Sequence, residues 1–159
     1  MRQELARLGN GAHALATQIL GSREDADDAV QDAYATVLAR PDAYDSARGA
    51  FRPWFLRIVR NRCIDLVRRR QPSGVDIDLI RHPGAAPDER LEMAERDRGL
   101  QAALAALDPA KRQILLLRDF LDLSYVEIAA VLDIVPGTVM SRLHRARLAL
   151  KQQLEQTHE

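Results

Sequence analysis

The residues best suited to chemistry lie near the C-terminus. There Thr138, Ser141 and Arg145 recur at intervals of three and four, flanked by Arg142 and His144. On a helix this spacing places the three on one side. Arginine can donate to guanine O6 and N7 or to phosphate, and Ser or Thr can contact either strand, so such a face suits a major groove. A helix N-terminus adds partial positive charge beside the backbone. The competing reading is a basic helix that is merely solvated. Arg147 and Lys151 point elsewhere on the wheel, toward phosphate or solvent.

A second cationic stripe comprises Arg57, Arg60, Asn61 and Arg68, opposite most of the aromatic and aliphatic residues of its segment. Such a stripe can follow a nucleic-acid backbone, and Asn61 could hydrogen-bond a base. A solubilising face is the alternative, and Asp65 either orients the neighbouring arginines or balances them. A third set is acidic: Asp25, Asp28 and Asp32 with Gln31 beside them. Three carboxylates on one exposed helix supply no second ligand set for a hard cation, so a protein-binding face is favoured over a metal site. Catalysis finds little support. His13, His82, His144 and His158 stand in unrelated contexts, no glycine-rich phosphate loop is present, and Cys63 falls on the inward half of an amphipathic helix.

The elements that position these residues are helical by pattern. Leu5, Leu8, Ala12, Leu15 and Ile19 predict a first helix, weakened by Gly9 and Gly11 and stopped at Gly21. Ser22 caps a second, with Glu24 and Asp25 at its positive end and Ala26, Val30, Ala33 and Val37 as its packing stripe. Pro41 to Gly49 reads as a loop. Phe51, Trp54, Phe55, Ile58 and Leu66 define a third helix ending near Arg70, with Trp54 expected to anchor the core. Asp88 caps a fourth, from about Glu89 to Leu107, and Asp108-Pro109 starts a fifth that runs to about Leu121. Ser124 and Glu127 form a capping box ahead of Ile128, Ala129 and Leu132. After a turn at Asp133 to Val135, Pro136 opens the last helix, with Val139, Leu143, Ala146 and Leu150 inward. The last two make a helix-turn-helix.

Between the halves, Gln71 to Pro87 carries Pro72, Gly74, Pro83, Gly84 and Pro87 and reads as a linker. The 159 residues thus divide into an N-terminal domain at 1–70, a linker at 71–87 and a C-terminal domain at 88–159. Each domain is marginal in core size. The fold class expected is all-α, two small helical domains. The net charge of zero offers no global attraction to nucleic acid, but charge is segregated. Arg48 to Arg70 holds eight arginines against one acid, Glu24 to Asp32 five acids and no base, and Pro136 to Lys151 three arginines, one lysine and no acid. One cysteine excludes an intramolecular disulfide. No apolar run approaches the roughly 18 residues of a membrane span and no signal peptide is evident, so a cytoplasmic protein without membrane insertion is expected.

The chain resembles the extracytoplasmic-function sigma factors, group 4 of the sigma-70 family, over about Leu15 to Arg70 and Leu100 to Leu154. The matching segments are Asp27 to Asp32, Phe51 to Asn61, Asp65 to Arg70, Leu123 to Ala129 and Gly137 to Arg147. Their order and the linker between them make the likeness specific. The resemblance implies a non-enzymatic subunit without cofactor that binds core RNA polymerase and reads promoter DNA. Asp25, Asp28, Gln31 and Asp32 would dock on the β′ clamp helices, and the β flap is a further expected contact. The loop from Arg40 to Ala50, with the helix carrying Asn61, would capture a flipped base of the minus-10 element, a step in which a fitted pocket offsets unstacking. Arg57, Arg60, Asp65, Arg68, Arg69 and Arg70 would lie along that DNA. Thr138, Met140, Ser141, Arg142, His144 and Arg145 would read the minus-35 element. An anti-sigma factor is an expected partner. Asp133 replaces a common turn glycine, Val135-Pro136 reverses a common Pro-Val order, and Met140 stands where a basic residue is frequent. Two alternatives stay open: a sigma-like decoy that sequesters an anti-sigma factor, and an autonomous dimeric helix-turn-helix repressor with a palindromic site.

Overall fold

The computed structural model describes residues 2–70 and 95–157, and every long element among them is a helix. The expected linker, Gln71 to Pro87, and the expected cap at Asp88 lie outside the described residues.

Helix α1 (Arg2–Leu20) buries Leu5, Ala12, Leu15, Ala16, Ile19 and Leu20, an i, i+3, i+4 stripe laid against α2 (Arg23–Ala39) and α3 (Phe51–Arg70). The glycines that weaken this helix by propensity permit close approach. A Cβ on Gly9 would stand 3.0 Å from the Tyr34 hydroxyl, and one on Gly11 3.1 Å from a Leu121 methyl in the other half of the chain. Gly21 ends α1 with φ 71°, a left-handed conformation that glycine adopts without a Cβ clash. Ser22 accepts from the Asp25 N–H at 3.2 Å and so caps α2, whose Ala26, Val30, Ala33 and Val37 are buried as the pattern requires.

On α3 the fully buried line is Phe55, Leu56, Val59 and Cys63, with Phe51 and Val67 close behind. Phe55, not Trp54, anchors this core. It stacks on Tyr34 at 5.5 Å, while Trp54 is half-buried at the rim with Tyr44 and Phe51. Ile58 and Leu66 are likewise half-buried. The buried line Phe55, Val59, Cys63 and Val67 therefore lies one step around the wheel from the expected Trp54, Ile58 and Leu66. Burial pushes the Cys63 thiol up to about 12, which leaves it protonated and inert. The loop before α3 holds two short 3-10 turns, Pro41–Ala43 and Ser46–Arg48, and the Tyr44 hydroxyl closes it by donating to the Gly49 carbonyl at 2.9 Å.

In the second half, α4 (Glu95–Ala105) packs on α7 (Val139–Thr157). Helix α5 (Pro109–Leu115) starts with proline in its first turn and continues into a wider π turn, Leu116–Phe120. The Asp108 side chain does not cap α5 but pairs with Lys111 at 3.1 Å. Ser124 and Glu127 form both bonds of the capping box that opens α6 (Tyr125–Leu132). Asp133 adopts φ 56°, ψ 50°, so the residue in place of a turn glycine still supplies the left-handed geometry. A 3-10 turn, Pro136–Thr138, precedes α7, whose Val139, Leu143 and Ala146 are buried.

The two halves pack on each other. Helix α3 lies against α6 and α1 against α5, and the buried residues of both halves form one continuous cluster. Arg52 pins this junction: its guanidinium donates to the Leu121 carbonyl at 3.2 Å and to both Glu127 carboxylate oxygens at 3.2 and 3.3 Å.

Candidate nucleic-acid interface

Burial on α7 sorts its residues by role. With Val139, Leu143 and Ala146 inward, Thr138, Met140, Ser141, Arg142, His144 and Arg145 are all exposed, so the whole expected minus-35 set shares the outer side of the helix-turn-helix. Two members are restrained locally: the Thr138 hydroxyl donates to the Val135 carbonyl at 2.8 Å and that of Ser141 to the Thr138 carbonyl at 3.0 Å. Such bonds tighten the first turn, and each hydroxyl oxygen keeps acceptor capacity. Arg147 is not a DNA-facing residue here. It donates to Asp119 at 2.6 Å and ties α7 to the end of α5.

On α3, Arg57, Asn61, Asp65 and Arg68 to Arg70 are exposed, whereas Arg60 is half-buried. The helix runs from the interhelical junction outward, and its arginines diverge accordingly. Arg57 approaches Asp133 in the helix-turn-helix turn at 3.5 Å, and Arg60 Nε donates to the buried Gln113 side chain at 2.9 Å. Arg70 turns to Asp25 at 2.7 Å, and Arg62 to Asp32 at 2.9 Å. Asp25 is accordingly half-buried, while Asp28, Gln31 and Asp32 are exposed on α2. The acidic face is thus bounded by two α3 arginines, with Asp28 at its open centre.

Sequence reasoning passed over Arg52, Arg62 and Gln113. Each acts through a partner about 30 or more positions away, a relation that helical spacing does not encode. The capping box at Ser124 and Glu127 was a usable signal for one end of the Arg52 contact, because Glu127 already sits at a fixed place there. Burial pushes the Glu127 carboxyl up, but hydrogen bonds from the Ser124 N–H and from Arg52 outweigh it and hold the group below its ordinary value.

Comparison with known proteins matches these elements. The family model for Sigma-70 region 2 matches residues 5–72, and that for Sigma-70, region 4 matches residues 97–150. The ECF RNA polymerase sigma factor RpoE of Cereibacter sphaeroides is 34% identical over 132 residues, 81% of this chain and 72% of that protein. The ECF RNA polymerase sigma factor SigE of Mycolicibacterium smegmatis is 34% identical over 147 residues, covering 89% of this chain and 56% of the longer relative. Among solved structures, the sigma factor RpoE of Bartonella quintana in complex with the anti-sigma factor NepR superimposes with a TM-score of 0.77 and 25% identity, over 97% of this chain and 96% of that one. Both helical halves, the exposed helix-turn-helix face and these likenesses converge on one conclusion: the chain belongs to the extracytoplasmic-function RNA polymerase sigma factors, which recognise promoters for transcription.

Proposed function

We propose that the chain binds core RNA polymerase and directs it to promoters whose minus-10 and minus-35 elements it reads with different halves. Residues 1–70 form the minus-10 and core-binding domain, 71–87 the tether and 88–159 the minus-35 domain. Tethering makes the second DNA contact effectively intramolecular. Thr138, Met140, Ser141, Arg142, His144 and Arg145 read the upstream element in the major groove. Asn61 serves base capture, with Arg57, Arg60, Asp65 and Arg68 to Arg70 along the strand. Asp25, Asp28, Gln31 and Asp32 dock on the clamp helices of β′, and the second half meets the β flap.

The observation that carries this reading is the orientation of α7: every residue assigned to base reading is exposed, and the residues between them are core. The protein acts as a transcription regulator, without a reaction of its own. An anti-sigma partner is supported by the Bartonella relative, whose complex with NepR matches this chain across both halves at once. The compact arrangement is then the form an anti-sigma factor holds, and release of Arg57 and Arg60 from Asp133 and Gln113 accompanies engagement of the minus-10 strand. No helix among the described residues is long and apolar enough to cross a membrane.

The test is promoter melting by core polymerase, followed by fluorescence of a base analogue at the minus-10 element. Signal is expected only with the chain present, lost with Arg145→Ala on the upstream element and with Asp28→Arg through core binding. Melting that is unchanged by the chain overturns the proposal. In a pull-down with both, a decoy would bind an anti-sigma factor and leave core polymerase unbound.

A further inference from the structure

Phe120, Val135, Val126 and Met140 are the most exposed large apolar side chains among the described residues, at 74%, 69%, 68% and 64%. A scattered apolar residue on a surface carries no meaning by itself. Met140 is set apart by its place: it stands in the first turn of α7, within a face whose other members, Thr138, Ser141, Arg142, His144 and Arg145, are polar. Helical spacing divides that face into two flanks around Ser141. Arg142 and Arg145, three apart, line one, and Met140 with His144, four apart, line the other. Gly137, three positions before Met140, adds no side chain to the Met140 flank, and a Cβ built there would meet nothing within 4 Å. The space beside the thioether is therefore open to whatever the helix is laid against.

The hydrogen bonds at this end of the helix narrow what it can read. The Thr138 and Ser141 hydroxyls donate to the Val135 and Thr138 carbonyls, so toward DNA the two oxygens present lone pairs. Met140 has no donor and only a weak acceptor in its sulfur. In this arrangement none of the three donates to guanine O6 or N7, a task for which Arg142 and Arg145 are equipped. The major-groove edges of the base pairs carry one apolar group, the C5 methyl of thymine, and its partner adenine shows an amino donor suited to a lone pair. We propose that the start of α7 reads an A·T pair of the upstream element, with Met140 packed on the thymine methyl, so that Met140 sets a base preference by apolar contact where the arginines set theirs by donation. The unbranched thioether, with three rotatable bonds, adapts to such a surface. This role rests on the promoter assignment of the same face and adds to it the identity of a base.

The full chain assembled with core RNA polymerase tests this by enriching duplexes from a pool randomised across the upstream element. Each thymine of the enriched sequence is then replaced singly by uracil, which removes the methyl and keeps every hydrogen-bonding group. Uracil at one position is expected to weaken binding roughly 3- to 5-fold, the worth of one buried methyl-sized group. Met140→Ala should weaken binding to the thymine duplex by a similar factor and then bind thymine and uracil alike. Met140→Leu, apolar and of similar size, should keep the preference. Met140 is exposed, so neither variant disturbs the core, and loss of the thymine preference alone is a change that a merely structural role would not produce. Enrichment without any uracil-sensitive position, or a sensitivity that persists undiminished in Met140→Ala, overturns the role of Met140 while the promoter assignment stands. A pool that enriches no upstream sequence overturns the promoter assignment and this role with it, so the two failures are told apart.

Discussion

Removing the Arg52 guanidinium is the sharpest probe of how the two halves are held. Arg52 contributes one hydrogen bond to the Leu121 carbonyl and a two-oxygen contact to Glu127, and the two side chains are 37% and 24% exposed. A sheltered hydrogen bond to a charged group contributes about 1.5–3 kcal/mol, but a pair this wet is discounted toward the ~1 kcal/mol of surface ion pairs. Arg52→Ala is therefore expected to cost about 2 kcal/mol in total, near 30-fold in the equilibrium constant for keeping the junction closed. About half of that belongs to Glu127. Glu127→Gln isolates this share, because glutamine also serves the capping box. Urea unfolding of both single variants and the double variant should give a coupling of about 1 kcal/mol. A coupling inside the additivity error of about 0.3–0.5 kcal/mol would refute the claim that this ion pair holds the halves together. Acid supplies an independent arm. The folded-state Glu127 pKa lies below its ordinary 4.5, so the stabilisation is complete above 4.5 and is lost as pH falls through the lower folded value. Arg52→Ala should flatten that acid limb.

Other consequences are direct. Phe55→Ala empties a fully buried site and should destabilise by about 3–5 kcal/mol in denaturant unfolding, against well under that for Trp54→Ala at the half-buried rim. Ser124→Ala removes the α6 cap and should cost about 1 kcal/mol, seen as faster amide exchange in the first turn of α6. The Cys63 thiol, buried and pushed up to about 12, should resist a thiol reagent at pH 8 and react only on unfolding. Arg145→Ala should weaken recognition of the upstream element by about 1–3 kcal/mol, measured by binding to matched and mutated minus-35 duplexes; equal loss on both would reassign it to phosphate.

The capping box, the Gly21 stop, the Ser22 cap and the inward stripes of α1, α2 and α7 were legible because each depends on residues within about four positions. The outward direction of Thr138, Ser141 and Arg145 followed from the same periodicity. Less was readable on α3, where nearly every position is apolar or arginine. Trp54 and Phe55 are adjacent, and only packing against Tyr34 decides which one points inward. The role of Gly11 was hidden for a similar reason, since its neighbour Leu121 is distant in the chain.

Local pattern thus determined the helices, their ends and which residues of the last helix face outward, because hydrogen bonding and amphipathic spacing are short-range. The tertiary structure alone decided what happens to the charges. Arg70 and Arg62 go to the acidic face of α2, Arg52 to Glu127 and Arg60 to Gln113, while Arg142 and Arg145 stay exposed on α7. A guanidinium on a long flexible stem takes whichever acceptor the packed helices bring within reach, and that distance is set by the contact of α3 with α6 and α1 with α5.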